Sequence, residues 1–316
     1  MQRLGIHTIL YVLIVMFIPI TTWAQTSSER PAISISNQLP QPGEQVEISV
    51  QNTYADTIPG DLTWRINNRT DSTFNNQRTI NLTAGEPGDA QLIQAYRGDS
   101  MLAETALSPA YVDIIVEPQT YVPRFYAGRP LPTAGSIVNI HAIVDAGENF
   151  NPDNLTYTWR VNNSTIGGGA VRGETSTQTE TPNRRSMTIS VRVTQPNGAA
   201  VAQGEITVPI ARPEVHMYRV SSLLGTTEYT LDDPYTLSSN AATVRALPYY
   251  LPLQALQGNN TVNWRIGPED VSGEDDDRFA VTIPRDNTRP DARVQFSFRH
   301  PQNTLYMVSD SFRVVY

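Results

Sequence analysis

Cysteine is absent from all 316 residues. That excludes disulfides, thiolate metal ligands and lipid attachment through an N-terminal cysteine, so any core has to hold by packing alone. Lysine is absent too, all 23 basic residues being arginines. A phosphate-binding P-loop and Schiff-base chemistry both need lysine and are excluded with it. Positive charge is outweighed by 31 acidic residues, giving a formal charge of −8. Such a surface favours solubility and argues against nucleic acid or an anionic membrane as the main partner, since both are held by positive fields. Histidine is scarce: His7, His141, His216 and His300 lie far apart, and none has the spacing of a zinc site. Helical periodicity is missing beyond the N-terminal segment, and 23 prolines punctuate the chain.

The long apolar run that is present lies at the start. Met1, Gln2 and Arg3 lead into Leu4 to Ile20, followed by the small residues Thr22 and Ala24. This pattern predicts a signal peptide over residues 1–24, cleaved after Ala24, and so an exported protein. The alternative is an uncleaved N-terminal anchor, because the run is close to the shortest that spans a bilayer. An anchor of that kind is the only route to a membrane that the sequence offers.

Beyond that segment tryptophan occurs only in "DLTWRINN" (61–68), "LTYTWRVNN" (155–163) and "TVNWRIG" (261–267). Alternation makes each phrase a strand. Leu62, Trp64 and Ile66 face one way and Thr63 and Arg65 the other, and the same parity recurs around Trp159 and Trp264. Arg65, Arg160 and Arg265 therefore point outward. Another alternating segment precedes each phrase (45–50, 136–144, 241–250) and another follows it (90–96, 187–193, 292–298), with turn sequences between. Short strands at about seven per hundred residues predict a Greek-key β-sandwich for each copy. Trp64, Trp159 and Trp264 are then the core pins that fill the space between two sheets. Pro-rich stretches at 116–132 and 208–220 suggest the junctions. The expected division is 31–117, 118–212 and 213–316, in an all-β, semi-rigid rod.

The strand "LTYTWRVNN" followed by "VRVTQPNG" resembles PKD and related bacterial immunoglobulin-like domains. The whole chain is similar to exported tandem Ig-like proteins of small-genome bacteria. In PKD copies Gly-Asp-Gly commonly follows the tryptophan, where this chain has "RINN", "RVNN" and "RIGP". The resemblance implies three tandem immunoglobulin-like (PKD-like) sandwiches in a surface or envelope protein. It implies a role in adhesion or spacing and brings no catalytic residues with it.

Candidate chemistry is sparse. The run "SGEDDDRF" (272–279) places Glu274, Asp275, Asp276 and Asp277 together, and Asp275 with Asp277 gives a weak case for calcium. The acids do not alternate around a central glycine as a calcium loop requires. No G-x-S-x-G elbow appears, and carboxylates are too many for any pair to signify hydrolysis. The sequence thus points to a non-enzymatic protein, with a secreted hydrolase as the remote alternative. Tyr121, Arg124, Phe125, Tyr126 and Arg129 in the first junction, and Tyr249 and Tyr250 in "LPYYLPLQ", allow two readings. They pack between neighbouring copies as a hinge, or they form platforms on which sugar rings stack. The expected partner is accordingly a protein or glycan of the cell envelope, met at the cell surface, in the periplasm or outside the cell. Matches to the N-glycosylation pattern carry no role, and the closing "SFRVVY" is expected to be a sandwich strand.

Overall fold

The computed structural model describes residues 31–51, 61–148 and 150–316. The expected leader, residues 1–24, lies outside them.

The first unit runs β1 (Ala32–Ile35), β2 (Gln45–Gln51), β3 (Leu62–Ile66), β4 (Arg69–Asp71), β5 (Thr79–Thr83), β6 (Gln91–Arg97) and β7 (Ser100–Leu107). The second runs β8 (Tyr111–Pro118), β9 (Thr120–Tyr121), β10 (Ile137–Asp145), β11 (Thr156–Val161), β12 (Ser164–Arg172), β13 (Ser176–Glu180), β14 (Ser186–Thr194) and β15 (Ala200–Pro209). The third runs β16 (Glu214–Ser221), β17 (Gly225–Thr230), β18 (Tyr235–Thr236), β19 (Ala241–Tyr249), β20 (Leu251–Pro252), β21 (Thr261–Ile266), β22 (Glu269–Val271), β23 (Ala280–Pro284), β24 (Asp291–His300) and β25 (Asn303–Val315). One short helix, α1 (Leu253–Gln257), follows β20.

Each unit is two sheets with one shared plan. The ladders are β1-β2-β5 facing β4-β3-β6-β7, then β13-β10-β8 facing β12-β11-β14-β15, then β17-β16-β19-β23 facing β18-β25-β24-β21-β22. The protein is all-β, built as three tandem immunoglobulin-like sandwiches with three separate cores.

Alternation generates these cores. In β14 Met187, Ile189, Val191 and Val193 are buried while the residues between them turn outward. Trp64, Trp159 and Trp264 are each at most 1% exposed. Each indole N–H also donates to a main-chain carbonyl just ahead of a strand in the facing sheet: Gln77 at 2.8 Å, Glu174 at 3.2 Å and Arg278 at 3.1 Å. One side chain thus fills the inter-sheet space and fixes the entry of β5, β13 or β23.

The residues after each tryptophan strand form the tight turn of a hairpin. Asn67 and Asn68 have φ of 50° and 64°, and Asn162 and Asn163 have 48° and 67°. This left-handed pair is what a two-residue turn between twisted strands requires, and asparagine tolerates it. The first asparagine also accepts from the next strand over: Asn67 Oδ1 from Leu92 N at 2.8 Å, and Asn162 Oδ1 from Thr188 N at 3.0 Å. Gly267 takes this place in the third unit, with φ of 58°.

The first boundary differs from expectation. β8 pairs with β10 along its whole length, from Tyr111↔Asp145 to Pro118↔Val138, and Ala110, Val112 and Ile114 belong to the second core. The first sandwich closes with β7, so residues 110–117 pass to the second. Alternation of buried and outward residues makes β8 a strand without deciding which sheet it joins. The stretch 116–132 is consequently not a linker between the first two copies. Its larger part is a strap between the first two long strands of the second sandwich.

The first two sandwiches meet backbone to backbone. Ala110 N donates to Pro40 O at 3.2 Å and Gly88 N to Pro109 O at 3.0 Å. Gly88 lies so close to Gly147 that a Cβ on either would come within 2.7 Å of the other's Cα.

Candidate functional site

The strap carries the aromatic residues singled out in the sequence, and it reaches forward onto the third sandwich. β9 pairs antiparallel with β20, Tyr121 opposite Leu251 and Thr120 opposite Pro252. Tyr250 N donates to Tyr121 O at 2.7 Å and Leu253 N to Gln119 O at 3.0 Å. Thr133 Oγ1 donates to Tyr250 O at 2.6 Å, and Ala211 N to Pro132 O at 2.8 Å. A two-strand sheet therefore bridges the second and third units.

Side chains fill the space under it. Tyr218, Leu247 and Tyr249 are buried, with Val122, Phe125, Tyr126 and Tyr250 packed against them. Phe125 meets Tyr218 with ring centroids 5.4 Å apart, and Tyr126 meets Tyr249 at 5.4 Å and Tyr250 at 6.2 Å, all edge to face. The hydroxyls are paired: Tyr126 with Tyr250 at 2.6 Å and Tyr218 with Tyr249 at 2.6 Å. On the other flank of the joint Tyr306 Oη donates to Gly135 O at 2.6 Å, and Gln254 Nε2 donates to Tyr306 Oη at 3.2 Å. Gly135 has φ of 83°, and a Cβ there would sit 2.6 Å from the Tyr306 hydroxyl, so this approach needs glycine.

The electrostatics suit an uncharged joint. Burial, followed by the hydrogen bond with Tyr218, holds the Tyr249 phenol far above the usual tyrosine range. Burial and the bond with Tyr126 push Tyr250 up to about 12. Burial also raises Tyr121 and Tyr306. All four stay protonated at neutral pH and keep their hydrogen-bonding protons.

The sequence-selected residues divide accordingly. Phe125, Tyr126, Tyr249 and Tyr250 come together at the junction of the second and third sandwiches with ring faces turned to ring edges, and Tyr121 joins them there through its backbone pairing with Leu251. Arg124 and Arg129 are exposed outside the ring cluster. Sequence reasoning missed Tyr218, Tyr306 and Gln254. In β16 the inward parity belongs to Val215 and Met217. Tyr218 therefore points away from its own core and is buried only because the strap covers it. A large aromatic at an outward position was the available signal.

The acidic run does not converge. Asp277 accepts from Arg245 Nε at 2.6 Å with one carboxylate oxygen and from Phe279 N at 3.0 Å with the other, while Asp275 and Asp276 are exposed. Among the described residues no group of three His, Asp or Glu side chains is placed to hold a metal ion. His141 lies 3.6 Å from Glu117 and His216 3.6 Å from Glu214, each on an exposed strand face.

No protein-family model matches the chain, and no curated protein matches its sequence. Among solved structures it is similar to the three N-terminal domains of the highly immunogenic outer capsid protein of bacteriophage RB49, with 12% identity over 90% of this chain and 98% of that one, TM-score 0.27. It is also similar to the fibronectin(III)-like modules of CbhA from Clostridium thermocellum, with 14% identity over 56% of this chain and 93% of that one, TM-score 0.23. Immunoglobulin domains 1–4 of Sidekick-1 align at 12% identity over 90% of this chain and 74% of that one, TM-score 0.23. At such scores the fold rests on the strand ladders themselves.

Proposed function

We propose that the chain is an exported, non-catalytic protein of the cell envelope or surface, working as a stiff spacer and interaction module. The observation that carries this reading is the joint between the second and third sandwiches. A shared strand pair, the Tyr126–Tyr250 hydrogen bond and the Tyr306–Gly135 bond lock two independently cored units together. A spacer needs that stiffness, because flexible links spread the position of its far end. Stacked domains also give a partner several sheet faces and edges to engage. The apolar run Leu4 to Ile20 and the small residues Thr22 and Ala24 support the export part of this reading.

Fractionation and protease shaving of intact producing cells test the location. The full chain should be found outside the cytoplasm and be cleaved by added protease, whereas a chain lacking residues 1–24 should stay inside. Recovery of both in the cytoplasm would refute export.

A further inference from the structure

One outward arginine recurs on the tryptophan-bearing sheet of each unit. Arg65 sits opposite Gln94, Arg160 opposite Ser190 and Arg265 opposite Gln295. In the outer units this charge is answered from within. The Arg65 guanidinium lies 4.1 Å from the centre of the Tyr96 ring, and Arg265 Nε donates to Asp270 at 2.9 Å. Among the described residues the middle unit has neither device. Opposite Thr158, at the register position that Tyr96 occupies against Thr63, stands Arg192. A second cation thus replaces the stacking partner. Arg160 and Arg192 are diagonal neighbours on one face, where like charges repel. Among the described residues neither has a carboxylate at salt-bridge distance, in a chain of net charge −8.

The two arginines line a cleft between domains. Thr158, Arg160, Asn163, Ser190, Arg192 and Gln203 form one wall of a groove of about 430 Å³, and Gln41 of the first sandwich closes it. It adjoins a second hollow of about 370 Å³, where Arg192 and Gln203 face Ile35 to Leu39 of the first sandwich. That opposing loop is already ordered by its own acid: Glu44 accepts from Asn37 Nδ2 at 2.8 Å and from Gln41 N at 2.9 Å, so its carboxylate is engaged within the loop. Among the described residues Glu205, on β15 opposite Ser190, is the one acid lining the groove.

We infer that this groove binds an acidic polysaccharide through its sugar carboxylates. Guanidinium groups match planar carboxylates in a two-point fork. The threonine, serine, asparagine and glutamine side chains around them supply both donors and acceptors for sugar hydroxyls. An acidic peptide fits less well. The groove lies on a sheet face whose backbone groups are spent in the ladder, while peptide strands are captured at sheet edges. This names the partner chemistry of the spacer proposed above. It relies on that reading only for where the glycan is met, and binding in solution stands or falls independently of export.

Isothermal titration of the protein with polygalacturonate oligomers, their neutral methyl esters and polyglutamate tests the inference. Polygalacturonate should bind, more weakly as salt rises, and the neutral ester should not. Arg160→Gln with Arg192→Gln should weaken binding by about tenfold or more. Arg265→Gln should leave it unchanged. Both arginines are exposed, so the double variant should unfold with the wild-type transition, which separates lost binding from lost folding. No binding of polygalacturonate, or equal binding by the double variant, would overturn the site. Polyglutamate binding as tightly as polygalacturonate would overturn the saccharide assignment.

Discussion

The indole N–H of Trp159 donates to the main-chain carbonyl of Glu174 at 3.2 Å, from a ring only 1% exposed. Glu174 stands just ahead of β13, in the sheet opposite the one carrying the tryptophan. The ring is both filler and clasp, and the first and third units repeat the arrangement with Gln77 and Arg278.

Replacing Trp159 by alanine should therefore cost the second sandwich about 3–5 kcal/mol, through the cavity and the lost inter-sheet bond. Trp159→Phe should recover much of the packing but not the bond, leaving the Glu174 carbonyl short of a partner at about 1–3 kcal/mol. Calorimetric or denaturant unfolding of the two variants checks the order.

The hydroxyl pair Tyr126–Tyr250, 2.6 Å apart, spans the joint. Either single change to phenylalanine should lower the stability of the linked pair of sandwiches by about 1 kcal/mol, and the double change by less than the sum. A double-mutant cycle in denaturant measures the coupling. Strict additivity would mean that the two hydroxyls do not meet.

Alkali should open the same joint. Free tyrosine ionises near pH ~10, whereas Tyr250 is held at about 12 and Tyr249 higher still, by burial first and hydrogen bonding second. Because the folded values are raised, the stability contributed by these neutral phenols is complete below about pH 10 and is lost as pH climbs through about 12. Phenolate absorbance should rise in two steps, the later one coinciding with separation of the second and third sandwiches. A single step near pH ~10 with no change in scattering would contradict this.

The first joint depends on glycine. Gly88 and Gly43 have φ of 81° and 77°, but only Gly88 would drive a Cβ into its neighbour, 2.7 Å from Gly147 Cα. Alanine at either site carries similar backbone strain. Gly88→Ala should in addition broaden the distances between the first and second sandwiches, and Gly43→Ala should not. Spin-label distance distributions compare them.

Much of this was readable in the sequence, and the remainder has a physical reason for being hidden. Alternation around Trp64, Trp159 and Trp264 gives each strand its buried face, because side-chain direction is a local property of extended backbone. Sheet membership is not local. β8 alternates equally well whether it closes the first sandwich or opens the second, and only its ladder with β10 decides. The same limit hid the joint. Tyr121 and Tyr126 were legible as an aromatic cluster beside prolines, yet nothing nearby in the chain shows that they bypass the first sandwich and meet Tyr249 and Tyr250. The asparagine pairs after the tryptophan strands carried a signal of their own, since Asn-Asn between alternating runs suits a left-handed two-residue turn.

Stiff coupling of the second and third sandwiches is tested most directly by double electron–electron resonance on spin labels at Thr165→Cys and Glu228→Cys. Both positions are exposed, and the absence of native cysteine makes the labelling specific. The locked joint predicts one narrow distance distribution at neutral pH that broadens when Tyr250→Ala removes the ring under the strap. A broad distribution in the otherwise unaltered chain would contradict it.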